Sequence, residues 1–136
     1  MHSPNVQRKQ ISILWVDDGI NELHFLIPFE FWTSPEYKMD FASTGEVGIR
    51  KLKDNHYDLI IMDVRLRDID GIELVNKIRN GELGESLKAI PILVFTAGSY
   101  ERAVTALGSA NVYQKSAGMD SQDFKKMINT ALNISE

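Results

Sequence analysis

The stretch ILWVDDGI (residues 13–20) sets an apolar run directly against two adjacent aspartates and a glycine. Ile13, Leu14, Trp15 and Val16 have the continuous apolarity of a strand covered on both faces, and Asp17 and Asp18 then place two carboxylates at its end. Carboxylates that close repel each other, and desolvation adds to the cost of ionising both. A compensating positive group is therefore expected, supplied by the rest of the chain or bound by it.

Outward from this run, apolar segments alternate with helical patterns to the end of the chain. Five strands are expected, at Ile11–Val16, Lys38–Ala42, Leu59–Asp63, Ile92–Thr96 and Asn111–Gln114. The third and fourth, within DLIIMD (58–63) and PILVFT (91–96), are almost wholly apolar, as strands buried on both faces should be. Between them lie helix signals. Ser43 followed by Glu46 has capping-box spacing before Val47, Ile49 and Leu52, and Asp70 followed by Glu73 repeats it before Ile72, Val75 and Ile78. Phe124, Met127, Ile128, Ala131 and Leu132 fall at helical spacing and define one buried stripe near the end. The segment NELHFLIPFEFW (21–32) also reads as helix, kinked or divided at Pro28, with its many apolar side chains filling the core beside the first strand. Repeated strand–helix alternation implies a parallel sheet with helices on both faces. The polar stretch NGELGESLKAIP (80–91) reads as a loop, not a domain boundary.

Composition sets bounds on function. A chain of 136 residues, 43% hydrophobic and 25% charged, suits one globular domain with a single core. We read residues 1–9 as a polar extension and residues 10–136 as that domain. A net charge of −4 gives no electrostatic reason to expect nucleic-acid binding. Without cysteine there are no disulfides, thiolate metal sites or cysteine nucleophile. The start, MHSPNVQRKQ, has no apolar stretch after its basic residues, and no run is long enough to cross a bilayer. The expected compartment is the cytoplasm, where the acceptor-like Asn133-Ile134-Ser135 is a chance match.

In an open parallel sheet, functional groups collect beyond the carboxyl ends of the strands. The first strand ends at Asp17 and Asp18, the third at Asp63, the fourth at Thr96, and the fifth leads to Lys115. Each alone has a plain explanation, since a strand-terminal Asp is often a helix cap and a lone Lys is usually solvated. Together, three carboxylates, a hydroxyl and an ammonium arrive at one edge. An all-oxygen donor set without Cys or nearby His favours a hard divalent cation such as Mg²⁺. Such a cation neutralises the paired aspartates and leaves positions for phosphoryl oxygens. A carboxylate beside it is a competent nucleophile, and phosphoryl transfer needs chiefly positioning and charge neutralisation.

These residues resemble the receiver domains of two-component response regulators. The resemblance spans roughly Gln10 to Leu132 and rests on WVDDG (15–19), DLIIMDVRLRDIDGIEL (58–74), ILVFTA (92–97) and Lys115, taken in order. It implies a flavodoxin-like α/β fold, a doubly wound five-stranded parallel sheet of order 2-1-3-4-5. It implies that Asp63 accepts a phosphoryl group from the phosphohistidine of a histidine kinase or phosphotransfer protein. Asp18, Asp63 and the backbone carbonyl of Arg65 would bind Mg²⁺, with Asp17 acting mainly through water. Thr96 would turn toward the phosphoryl group and Lys115 would pair with it. The outcome is a conformational state that controls binding of a downstream protein, not turnover of a metabolite.

The chain departs from the family pattern in several places. The aromatic residue usual three positions before the Lys is Val112, with Tyr113 next to it and, by strand alternation, on the other face. The usual prolines are Ser116 after the Lys and Arg67 after the central Asp. The segment from Thr96 to Lys115 is slightly short, which implies a trimmed helix there. Arg65 and Gly98 occupy the positions that flank the path of attacking water, and together they predict a persistent phosphoaspartate. Homodimerisation through the helix before the fifth strand, that strand and the last helix occurs in the family, and the altered Val112 region lends it no support here.

Three other functions compete with the phosphorylated switch. A degenerate receiver would act as a phosphorylation-independent interaction module, but all five site residues are present. A haloacid-dehalogenase-like phosphatase would need a second Asp at Arg65 and room for a cap domain. An interaction module using Phe25–Trp32 would bind its partner regardless of Asp63. The close of the chain after the last helical stripe leaves a stand-alone receiver and a part of a larger protein equally open.

Overall fold

Each apolar run forms a strand in the computed structural model, which describes residues 10–19, 31, 33–116 and 118–134. These are β1 (Ile11–Val16), β2 (Tyr37–Ala42), β3 (Leu59–Met62), β4 (Ile92–Thr96) and β5 (Val112–Gln114). Three bounds differ from expectation by one residue. β2 begins at Tyr37, which pairs with Ile11; β3 ends before Asp63; β5 begins after Asn111. The sheet is parallel throughout, in the order β2-β1-β3-β4-β5. This is the flavodoxin-like arrangement.

Strand alternation divides the interior into two layers. Leu14, Val16, Ile60, Met62, Ile92, Val94 and Val112 point to one face, where they pack with helices α1 (Gly45–Asp54), α2 (Gly71–Arg79) and α3 (Tyr100–Leu107). Ile13, Trp15, Leu59, Ile61, Leu93 and Phe95 point to the other, against α4 (Ser121–Leu132). The expected stripe on α4 holds: Phe124, Met127 and Ile128 are buried, with Ala131 and Leu132 packed at the margin. Trp15 lies edge-on to Phe95 at 5.9 Å, and Phe31 stacks on Tyr37 at 4.8 Å. Of the segment 21–32 only Phe31 is described; it is 2% exposed, as core filling requires, and the expected helix divided at Pro28 lies outside the described residues.

The capping of α1 differs from the sequence reading. Its N-cap is Thr44, not Ser43, and the Thr44 hydroxyl accepts from the Val47 amide at 3.1 Å. Two further amides of its first turn are held from a distance: Asp68 accepts from Gly45 N–H at 2.9 Å and Glu46 N–H at 2.8 Å. Asp70 does cap α2, accepting from Ile72 N–H at 2.8 Å. At α4, Asp120 and Asp123 form a reciprocal capping box, and the helix closes at Asn133 in the left-handed region (φ 58°). The polar stretch 80–91 holds a single 3₁₀ turn, Glu85–Leu87. No helix among the described residues is long and apolar enough to cross a membrane.

Candidate phosphoacceptor site

Strand register assembles the site. Val16 pairs with Ala42 on one side and Met62 on the other, so the residues following them are brought level. The ladder continues one step beyond the strands. Asp17 N–H donates to the Ala42 carbonyl at 2.9 Å, Asp63 N–H to Val16 at 2.9 Å, and Lys115 N–H to Thr96 at 2.8 Å. The backbone itself therefore sets Asp17 and Asp63 side by side and Lys115 next to Thr96.

The two buried carboxylates are held alike. Asp17 Oδ1 accepts from Gly19 N–H at 2.8 Å, and Asp63 Oδ1 accepts from Val64 N–H at 2.8 Å. Their other oxygens meet one ammonium: Lys115 Nζ donates to Asp17 Oδ2 at 2.7 Å and to Asp63 Oδ2 at 3.3 Å. The Lys115 side chain is 16% exposed, and its ammonium lies 5.9 Å from the centre of the Phe95 ring. Asp18 is exposed beside them. Ligand atoms of Asp17, Asp18 and Asp63 all lie within 4.8 Å of one another. Thr96 is buried at the end of β4, and Arg65 is exposed two residues past Asp63. All the expected site residues thus share one edge of the sheet.

The electrostatics answer the question posed by the paired aspartates. Burial pushes the Asp63 carboxyl above the usual carboxylate range, and the Asp17 charge pushes it further; Lys115 and the Val64 amide oppose this only in part. For Lys115, burial favours the neutral amine but is outweighed by hydrogen bonds and charge from Asp17 and Asp63, so its pKa is raised. Three carboxylates against one ammonium leave a formal charge of −2 (three negatives, one positive) when all are ionised. That donor set, all oxygen and two units short of neutrality, fits a hard divalent cation.

The segment after Asp63 shows features that local spacing does not reveal. Gly71 passes directly beneath the site: a Cβ there would lie 2.0 Å from the Asp63 carbonyl oxygen, so only glycine fits. Arg102 on α3 forms an ion pair with Asp70, 32 residues away in sequence. At Gly98 an added Cβ would meet nothing within 4 Å, so that side of the site is open. Val112 is buried with the α1–α3 layer, and Tyr113 packs on the opposite face. The helix α3 has eight residues, the shortest α-helix among those described.

Comparisons with known proteins agree with this fold. The model for the response regulator receiver domain matches residues 13–128. The chain is 34% identical over 109 residues to response regulator ArlR of Staphylococcus aureus (strain Mu50), covering 80% of this chain and 41% of that protein. It is 32% identical over 102 residues to transcriptional regulatory protein ZraR of Klebsiella oxytoca, covering 74% of this chain and 21% of that one. The chain therefore spans between about a fifth and two fifths of these relatives. Among solved structures, chemotaxis response regulator CheY4 of Vibrio cholerae superposes with a TM-score of 0.68 at 21% identity, over 91% of this chain and all (100%) of that one. The receiver domain of sensor histidine kinase PA1611 from Pseudomonas aeruginosa, solved with a magnesium ion in its active-site cleft, gives 0.71 at 21% identity, over 92% and 99%. On its fold and a family match over most of its length, the chain belongs to the receiver domains of two-component response regulators.

Proposed function

We propose that Asp63 is the phosphoacceptor, taking a phosphoryl group from the phosphohistidine of a histidine kinase or a histidine phosphotransfer protein. The observation that carries this reading is the single ammonium of Lys115 held between two buried carboxylates, Asp17 and Asp63. In the transfer an Asp63 oxygen bonds to phosphorus as the P–N bond breaks, and the electron pair returns to the donor imidazole. Asp18, Asp63 and the Arg65 carbonyl would hold Mg²⁺, with Asp17 acting through water. The cation, when bound, neutralises phosphoryl oxygens and favours ionised Asp63. Lys115 exchanges its bond to Asp63 for one to the phosphoryl group, and Thr96 supplies a hydroxyl from the end of β4. The product is a conformational state read by a downstream protein. We take residues 10–136 as the working unit and the cytoplasm as its compartment.

Phosphorus-31 NMR with phosphoramidate, whose P–N bond stands in for phosphohistidine, tests this reading. The expected result is an Mg²⁺-dependent acyl-phosphate resonance that hydroxylamine removes. Its absence from folded, Mg²⁺-loaded protein would count against Asp63 as acceptor and favour a module that acts by binding alone.

A further inference from the structure

The segment from Val64 to Gly71 is tied at its base and at two points along its length. Gly71 N–H donates to the Val64 carbonyl at 2.7 Å, and Arg65 lies opposite Asp70 in an antiparallel bridge. In a pair whose flanking residues make the hydrogen bond, the facing residues turn their own N–H and C=O outward. The loop therefore closes without using the Arg65 carbonyl. Asp68 ties the segment to α1 through the Gly45 and Glu46 amides. Asp70 ties it to α2 with one oxygen, at Ile72 N–H, and to α3 with the other, at the Arg102 guanidinium 2.5 Å away. Among the described residues, Arg102 is the one side chain of α3 ion-paired to this segment.

We infer that Arg102 is a positioning residue for the divalent-cation site. By anchoring Asp70 it fixes the Arg65–Asp70 pair, and with it the orientation of the Arg65 carbonyl. The inference rests on the proposal that Asp18, Asp63 and that carbonyl hold the cation. Linkage makes the coupling reciprocal: a cation that orders the Arg65 backbone favours docked α3, and whatever displaces α3 weakens the cation. With Val112 in the position usual for an aromatic, the ion pair provides a route from the site to α3 that needs no aromatic side chain.

The sign of the effect separates positioning from simple charge. Removing a nearby cation should, by Coulomb's law alone, tighten Mg²⁺ binding. Loss of positioning should weaken it. The pair is exposed, with side-chain accessibilities of 55% for Arg102 and 37% for Asp70. An exposed ion pair of this kind supports an effect of about threefold in affinity. Calorimetric Mg²⁺ titration of the full chain, comparing wild type, Arg102→Met and Arg102→Lys, reads this directly, with circular dichroism as the folding control. Expected are about threefold weaker binding in Arg102→Met, near-wild-type binding in Arg102→Lys, and faster amide exchange at residues 65–70 of metal-free Arg102→Met. Unchanged or tighter Mg²⁺ binding by Arg102→Met, with wild type binding normally, overturns the inference. Failure of wild type itself to bind Mg²⁺ overturns the cation site on which it stands.

Discussion

At Asp63 the folded protein acts against the charge that its proposed chemistry needs. Burial, and then Asp17, hold the carboxyl above its ordinary range. The folded state consequently binds this proton more tightly than the unfolded chain does. The associated stability is complete below the unfolded value and is lost as pH rises through the raised folded value. Metal-free Asp63→Asn should therefore be more stable than wild type at pH 7, by on the order of 1 kcal/mol, with the gap closing toward pH 4. Urea unfolding at the two pH values checks this, and a wild type as stable as the variant at pH 7 contradicts it. Lys115 has the same sign of dependence in a higher pH window: its raised pKa gives stability that is present at neutral pH and lost only as pH climbs through its folded value. The residues of this cluster were legible in the sequence because each follows an apolar strand. The hydrogen bond joining Lys115 to Asp17, 98 residues apart, was not, because strand order and register create it.

Among the elements, the helix starts show where local pattern stops being informative. Ser43 and Thr44 are both acceptable caps, and the sequence spacing to Glu46 favoured the wrong one. Asp68, from the loop after β3, binds the Gly45 and Glu46 amides of the first turn of α1, and the Thr44 hydroxyl takes the Val47 amide. Asp68→Ala should cost about 1–2 kcal/mol through the loss of these two bonds. A loss of stability below a few tenths of a kcal/mol in urea unfolding would show that Thr44 suffices alone. The same loop caps α2 through Asp70 and closes under Asp63 at Gly71. Capping thus ties two helix starts to the loop that follows the acceptor. The Asp120–Asp123 box on α4 departs from the spacing pattern at its second member, which is Asp where the usual pattern has Glu or Gln.

For the whole molecule, the sheet was readable because its central strands are buried on both faces and leave continuous apolar runs. β3, β4 and the Ile13–Val16 part of β1 are of this kind, whereas β2 and β5 at the edges carry partly exposed residues along their length, and each begins one residue away from its expected start. Phe124 links the aromatic layer, lying 5.3 Å from Phe31, 5.8 Å from Phe95 and 6.4 Å from Trp15, and is fully buried. Phe124→Ala should cost about 3–5 kcal/mol and lower the unfolding midpoint without moving the Asp63 site, which lies at the sheet edge. An unchanged midpoint would place α4 outside the cooperative core. Intact-mass measurement after incubation with acetyl phosphate and Mg²⁺ tests the phosphoacceptor role proposed for Asp63 at that edge. One added phosphoryl group is expected on wild type, none on Asp63→Asn and none when the cation is chelated. An adduct that persists in Asp63→Asn, or no adduct on folded wild type with Mg²⁺, would contradict it.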